Sequence, residues 1–374
     1  MTTGKKVIST ISVLLCALLL ICACTPSVAC DWNLVEFDNI VSIHTDKQVE
    51  YLAGDYNAIS NFAKGKEELS RPNAIQLSWS AKHDSGETIT QYMVEIRDVD
   101  SQYNTVYLNT VDPYADVYNL CIGTLYMWRV TAVFSNGGKS QSDWSYFQTE
   151  DVAPRNLYVD GITNVRDLGG WSTPDGRVRQ GMIYRCGRLN ESGREDVVIE
   201  ITQEGIDVMR NVLGIKTEID LRMPNAHNTE TGGITFSPLG KDVNYVNCPL
   251  EWDNGNYLTN NLESVKDFFA LASDIDNYPL IFHCNIGTDR TGLFAFLING
   301  LLGVSEADLY RDYLFSNFGN INNTRALSNI QNNYLKTINS YPGATLSERI
   351  ENCLLQLVGV PQSQIDAIKD ILSE

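Results

Sequence analysis

The sequence predicts two folded units in series: an all-β sandwich, then an α/β unit whose mostly parallel sheet carries helices on both faces. Two patterns predict them. Between Ala74 and Thr149 short runs alternate apolar and polar residues, as in Ile75-Gln-Leu77-Ser-Trp79 and Tyr92-Met-Val94-Glu-Ile96, with polar turns such as His83-Asp-Ser-Gly86 between them. Strands spaced in this way make a sandwich. After Glu150-Asp-Val-Ala-Pro154, a polar hinge stiffened by proline, apolar strands alternate with helical stretches, the pattern of a parallel sheet covered on both faces. A chain of 374 residues is long enough for each unit to bury its own core.

Taken in order, the chain opens on a leader. Lys5-Lys6 precedes the apolar run Val7 to Ala23, which is short for a spanning helix and has the form of a secretory signal. Leu20-Ile21-Cys22-Ala23-Cys24 resembles a bacterial lipobox, with Cys22 as a departure from it. The resemblance implies that residues 1–23 leave as a signal peptide and that Cys24 is lipidated. The expected location is extracytoplasmic, on a bacterial membrane. Cleavage after Ser27-Val28-Ala29 would instead secrete a soluble form beginning at Cys30.

Residues 24–65 show no clear period and read as a tether or an unassigned segment. Residues 66–150 form the sandwich. Trp79 matches the core tryptophan of fibronectin type III domains, and Leu120 with Tyr126 matches their leucine and tyrosine-corner pair. The resemblance implies a module that spaces, orients or binds a ligand.

Composition narrows the partners. A net charge of −18 and a pI near 4.6 set a long-range field that repels polyanions, so no nucleic acid is expected. The cysteines show no CxxC and no zinc spacing, and His44, His83 and His227 have no ligand spacing and read as surface residues. No metal and no cofactor is expected.

Residues 151–374 form the α/β unit. Ile183 to Gly187 and Gly214 to Arg222 contain strands, with a helix over Glu204 to Leu213 between them. Val243 to Val246 is a further strand, Leu262 to Leu271 an amphipathic helix, and the last helix covers Ile365 to Leu372. Ligand sites in such sheets lie at the C-terminal strand ends, where Arg222, Glu251 and Cys284 would emerge.

One stretch concentrates the chemistry. In Leu280-Ile-Phe-His283-Cys284-Asn285-Ile286-Gly287-Thr288-Asp289-Arg290-Thr291-Gly292 a buried strand turns through a tight loop onto an apolar helix. Unpaired N–H groups and the positive end of the helix dipole suit a phosphate-sized dianion. The same field stabilises a thiolate, so the Cys284 pKa should fall below about 8.5. Arg290 offers a planar fork for two phosphoryl oxygens, and Gly287 allows the positive φ that turns N–H groups inward. A buried cysteine is usually a small core hydrophobe, and Gly-Thr-Asp-Arg by itself could be an ordinary turn. Cys, five residues, Arg, Thr and Gly between strand and helix point instead to a catalytic phosphate loop.

The motifs Asn164-x-Arg166-Asp167-Leu-Gly-Gly, Tyr184-Arg185, Asp220-Leu-Arg222, His283-Cys284-x5-Arg290-Thr-Gly, Leu302-Gly-Val-Ser305 and Asp312-Tyr313-Leu314 occur in that order. The order resembles that of bacterial protein tyrosine phosphatases of the secreted mycobacterial tyrosine phosphatase B type. The resemblance implies hydrolysis of phosphotyrosine or a related phosphate monoester through a phosphocysteine. Cys284 is then the nucleophile, and Asn285, Ile286, Gly287, Thr288, Asp289 and Arg290 bind phosphate. Asp289 matches the family's general acid; Asp253 or Glu251, after the preceding strand, is the alternative, and Asp289 is then a surface aspartate. Thr288 stands where the family commonly has lysine, which argues against multiply phosphorylated substrates. His283 orders the loop rather than acting as base, and Thr291 is either a thiolate partner or a helix-opening residue. Arg166 and Asp167 support packing or the loop, and Asp312-Tyr313 buttresses the C-terminal helices. Expected partners are a phosphorylated protein or small phosphate ester, the membrane through the Cys24 anchor, and a ligand of the sandwich. The alternative functions are an inositol polyphosphate or phosphoinositide phosphatase, and a catalytically weak surface binding protein.

Overall fold

The computed structural model describes residues 27–37, 40–101, 105–191, 200–224, 230–251 and 256–374. Cys24, His227 and Asp253 lie outside the described residues. Among the described residues no helix is long and apolar enough to cross a membrane.

The period-2 runs form the sandwich. β1 (Asp31–Leu34), β2 (Ile75–Lys82) and β5 (Tyr114–Val117) make one antiparallel sheet. The other contains β4 (Thr105–Thr110), β3 (Ile89–Asp98), β6 (Leu125–Phe134) and β7 (Lys139–Gln141), with β8 (Ser145–Gln148) also paired to β6. Alternate residues point inward, so Leu77, Trp79, Val94, Ile96, Trp128 and Val130 share one core, each contributing about 1.5–3 kcal/mol by burial. The Tyr126 hydroxyl accepts from the Cys121 N–H at 2.9 Å, closing the tyrosine corner.

The described part of the segment without a sequence period, from residue 27 on, is packed against both units. β1 lies within it, and α1 (Asp46–Ala53) starts at a Thr45/Gln48 capping box. Tyr51, fully buried, packs against Phe62, Phe315 and Phe318, joining this segment to the core of the α/β unit. His44 is buried, not a surface residue: its ring meets the Glu150 carboxylate at 2.8 Å and the Pro154 carbonyl at 2.9 Å. The supposed hinge is consequently locked. Buried Arg155 adds a 2.8 Å ion pair to Asp167 and donates to the Leu120 carbonyl, so one guanidinium touches both units. His83 is half-buried, edge-on to Phe134.

The second sheet runs β14 (Asn244–Asn247), β13 (Thr217–Asp220), β15 (Leu280–His283), β12 (Ile183–Cys186) and β9 (Arg166–Asp167). All neighbours are parallel except β9 with β12. A small hairpin of β10 (Ser172–Thr173) and β11 (Gly176–Arg177) stands apart. α2 (Gln203–Asp207) continues through a wide turn, Val208–Val212, whose Met209 packs with Ile281 on one face. The opposite face carries α3 (Leu262–Ala272), α4 (Asp289–Leu301), α5 (Glu306–Phe315), α6 (Leu327–Ile330), α7 (Lys336–Ile338), α8 (Leu346–Cys353) and α9 (Gln362–Leu372). There Phe268 stacks on Phe294 at 3.8 Å beside Phe282. All of α4 is buried, which explains an apolar run without amphipathic character.

Candidate active site

β15 hands the chain to α4 through a loop at the C-terminal edge of the sheet. Gly287 has φ +68°, and a Cβ there would lie 2.4 Å from the Cys186 carbonyl oxygen; only glycine fits. The loop carbonyls are drawn outward. Arg185 donates to Gly287 O at 2.8 Å, and the Asn164 amide donates to Gly287 O at 3.0 Å and Ile286 O at 3.2 Å. With carbonyls held behind, the N–H side of the loop is left for the cavity.

The holders are themselves fixed. Asp312 accepts from Arg166 at 2.9 Å and from Arg185 at 2.8 Å, and all three side chains are buried. Burial and the neighbouring Arg185 charge push Arg166 down to about 10. Burial would raise the Asp312 carboxyl, but the two guanidiniums hold it below its usual range. Asp312 thus props the loop rather than the C-terminal helices, whereas Tyr313 does both: its ring stands edge-on to Tyr334 at 5.8 Å and its hydroxyl donates to Asp289 at 3.0 Å.

Above the loop opens a cavity of about 580 Å³. Cys284, Asn285, Ile286, Asp289 and Arg290 line it; Gly287 and Thr288 do not. The fully buried Thr288 side chain turns back, its hydroxyl donating to Ile286 O at 3.3 Å and accepting from Asn164 at 3.4 Å. Burial alone would raise the Cys284 thiol, but the Arg290 charge and the Thr291 hydroxyl outweigh it and hold the pKa below its ordinary value. That hydroxyl is buried without a hydrogen-bond partner among the described residues.

Arg290 is aimed by Glu230, whose carboxylate takes its two terminal nitrogens at 2.7 and 3.2 Å and also accepts from Asn285 and the Met223 N–H. Burial notwithstanding, this pairing holds the Glu230 carboxyl low, and the Cys284 thiolate together with Glu230 holds Arg290 high. Asp289 is not a loose surface aspartate. Arg325 donates to both its oxygens at 2.9 and 2.8 Å, and Tyr334 caps its carbonyl at 2.6 Å.

His283 lies behind the nucleophile, its Nε2 on Glu218 at 2.9 Å and its Nδ1 3.8 Å from Asp220. Burial opposes protonation, but the two carboxylates prevail and raise its pKa. Glu218, Asp220 and His283 lie close enough to suit a metal ion. Their oxygens are already engaged, by His283 and Ser237 on Glu218 and by Arg222 and Tyr245 on Asp220. Of the residues expected at the strand ends, Arg222 is buried against Asp220 and Glu251 is exposed outside the cavity, while Cys284 alone reaches it.

Three charged residues that sequence reasoning missed line the same cavity, Glu230, Arg325 and Lys66, beside Asn320 to Asn323. Each is remote in sequence from the loop, and no spacing or motif marks it.

The model of the tyrosine phosphatase family matches residues 157–374, and that of the fibronectin type III domain matches residues 68–148. A protein of Cupriavidus necator, provisionally named a tyrosine-protein phosphatase, is 29% identical over 184 residues, covering 43% of this chain. The match spans 63% of that relative's length. Among solved structures, the core catalytic domain of the PP-IP phosphatase SIW14 from S. cerevisiae is 14% identical with a TM-score of 0.30, covering 53% of this chain and 96% of that one. TpbA of P. aeruginosa is 14% identical with a TM-score of 0.26, covering 50% and 84%.

Proposed function

The chain belongs to the tyrosine phosphatase family, and from that premise we propose that it is a cysteine-dependent phosphatase of the mycobacterial tyrosine phosphatase B type. It hydrolyses phosphotyrosine or a related phosphate monoester. The observation that carries the reading is a lowered Cys284 thiol facing the same cavity as an arginine pre-aimed by Glu230.

In the first step the Cys284 thiolate attacks phosphorus, the P–O ester bond breaks, and the leaving oxygen takes a proton from Asp289. Loop N–H groups and Arg290 hold the equatorial oxygens. In the second step water attacks, its proton passes to Asp289, the P–S bond breaks and the thiolate returns. Arg325, which holds the Asp289 carboxylate and shares the cavity, is placed to turn to an arriving phosphoryl oxygen and free Asp289 for the leaving group. The Thr291 hydroxyl supports the thiolate as leaving group in the second step. The leader motif supports export and an acyl anchor on Cys24 at the outer side of a bacterial membrane, with a ligand of the sandwich domain as a further partner.

The test is hydrolysis of a phosphotyrosine peptide, a phosphoserine peptide, a phosphoinositide and phytate, with Cys284→Ser as control. Turnover of phosphotyrosine that the control lacks is the expected result. A wild type no faster than the control on every substrate refutes the proposal. Palmitate labelling of wild type but not Cys24→Ala tests the anchor.

A further inference from the structure

Within the loop the Thr288 side chain is buried and turned away from the cavity, so Arg290 is the loop's single cation there. A cation nevertheless lines the cavity from elsewhere in the chain. Lys66, expected in the sandwich, lies instead between α1 and β2 against the catalytic unit, and its position is built rather than loose. Gly65 N–H donates to Asn317 O at 2.8 Å, Ile321 N–H to Gly65 O at 3.0 Å, and Leu69 N–H to Phe318 O at 2.6 Å. The Thr324 hydroxyl adds a bond to Lys64 O at 2.9 Å. Gly65 has φ +68°, and a Cβ there would lie 2.7 Å from the Ile321 side chain and 2.9 Å from Asn323 O. The backbone carrying Lys66 is thus laced along the 317–324 loop, which forms the far wall of the cavity.

Charge accounting gives Lys66 its role. Arg290 faces Glu230, Arg325 faces Asp289, and the Cys284 thiolate adds a negative charge. Among the described residues lining the cavity, Lys66 is the cation without a carboxylate partner; its side chain is exposed. On a chain of net charge −18, this leaves the described cavity lining neutral, with Lys66 the one of its three cations that no carboxylate holds and that is open to a substrate anion.

We propose that Lys66, together with the strap that carries it, is a specificity-determining anion contact of the catalytic cavity, selecting phosphate monoesters that bear a second negative group. The inference rests on the phosphatase reading of the cavity. Lys66 does not touch the reacting bond; it holds the second anion while the loop holds the first.

The experiment compares full-length wild type, Lys66→Gln and Lys66→Arg on three substrates. These are a phosphotyrosine peptide with glutamates flanking the phosphorylated residue, the same peptide with glutamines, and an inositol polyphosphate. Lys66→Gln is expected to lose about 5- to 10-fold in kcat/KM on a doubly anionic substrate, mostly through KM, and less than about 2-fold on the glutamine peptide. Lys66→Arg restores the preference, and the loss shrinks as salt is raised. Loss on the glutamate peptide identifies a carboxylate as the second anion, and loss on the inositol ester a second phosphate; either supports the proposal. Equal losses on all three substrates, or none, overturn it. If wild type turns over nothing, the phosphatase reading fails separately, and affinities of the same three compounds for Cys284→Ser and for Cys284→Ser with Lys66→Gln decide the Lys66 contact by the same ratios.

Discussion

Replacing Glu230 by glutamine tests whether Arg290 acts as an aimed group or only as a charge. Glu230 is 7% exposed and accepts from both terminal nitrogens of Arg290, from the Asn285 amide and from the Met223 N–H. Glutamine keeps the shape but puts an NH2 against neighbours that are all donors. At least one charge-assisted bond is lost and one donor is left facing another. Such a bond contributes about 1.5–3 kcal/mol, whereas the remaining acceptors of Arg290, Leu221 O at 3.3 Å and Leu250 O at 3.4 Å, are long. An opposing effect exists, since an unpaired Arg290 attracts phosphate more strongly. Orientation dominates in the transition state and charge in ground-state binding, so the two separate kinetically. The expected result is a kcat lower by about 10- to 150-fold, with inhibition by inorganic phosphate unchanged or tighter. Steady-state hydrolysis of 4-nitrophenyl phosphate with phosphate as inhibitor measures both. A kcat within about 3-fold of wild type would refute the argument.

Thr291→Val removes the hydroxyl that helps hold the Cys284 thiol low, so the acid limb of kcat/KM is expected to move to higher pH; an unmoved limb would show that the hydroxyl does not reach the sulfur. Asp289→Asn is expected to slow phosphotyrosine, with a leaving-group pKa of about 10, by at least about 10-fold more than 4-nitrophenyl phosphate. Equal slowing would assign the proton to another group and return Asp253 to consideration. Asp312→Asn leaves Arg166 and Arg185 as uncompensated buried charges and should cost about 3–5 kcal/mol, read as a fall in Tm. The Asp312 carboxyl is depressed in the fold, so its contribution is complete above its unfolded pKa near 3.8 and fades as pH falls through the folded value. Acidification should therefore narrow the gap between mutant and wild type, and a gap constant with pH would exclude the linkage.

The loop was legible because its chemistry is local: cysteine, glycine and arginine fall within seven positions, between an apolar strand and an apolar helix. The sandwich was legible for the same reason, since period-2 alternation in Ile75 to Trp79 marks which side chains face the core. What escaped was assembled from a distance. Glu230 lies 60 residues from Arg290, and Arg325 lies 36 residues from Asp289; each is an ordinary charged residue until the fold sets it against the loop. His44 read as a surface residue because sequence shows a titratable ring but not the partner that allows its burial. The direction of the Thr288 side chain was illegible for a different reason. The direction of a side chain in a tight loop depends on backbone angles, and a one-letter comparison with a lysine carries none.

The strap at Lys64 to Leu69 bears on how the chain can be cut. Strand β1 and the Tyr51 helix precede most of the sandwich, yet Tyr51 belongs to the later unit's core. In three dimensions most of the sandwich is an insertion between two pieces of one catalytic body. A fragment starting at residue 151 would lose Lys66 from its cavity lining and leave Phe315 and Phe318 without the aromatic ring that covers them. Nicking the chain at Pro154 should leave the two pieces held together by that shared core. A force or ligand acting on the sandwich would have a direct mechanical line to the rim beside Cys284.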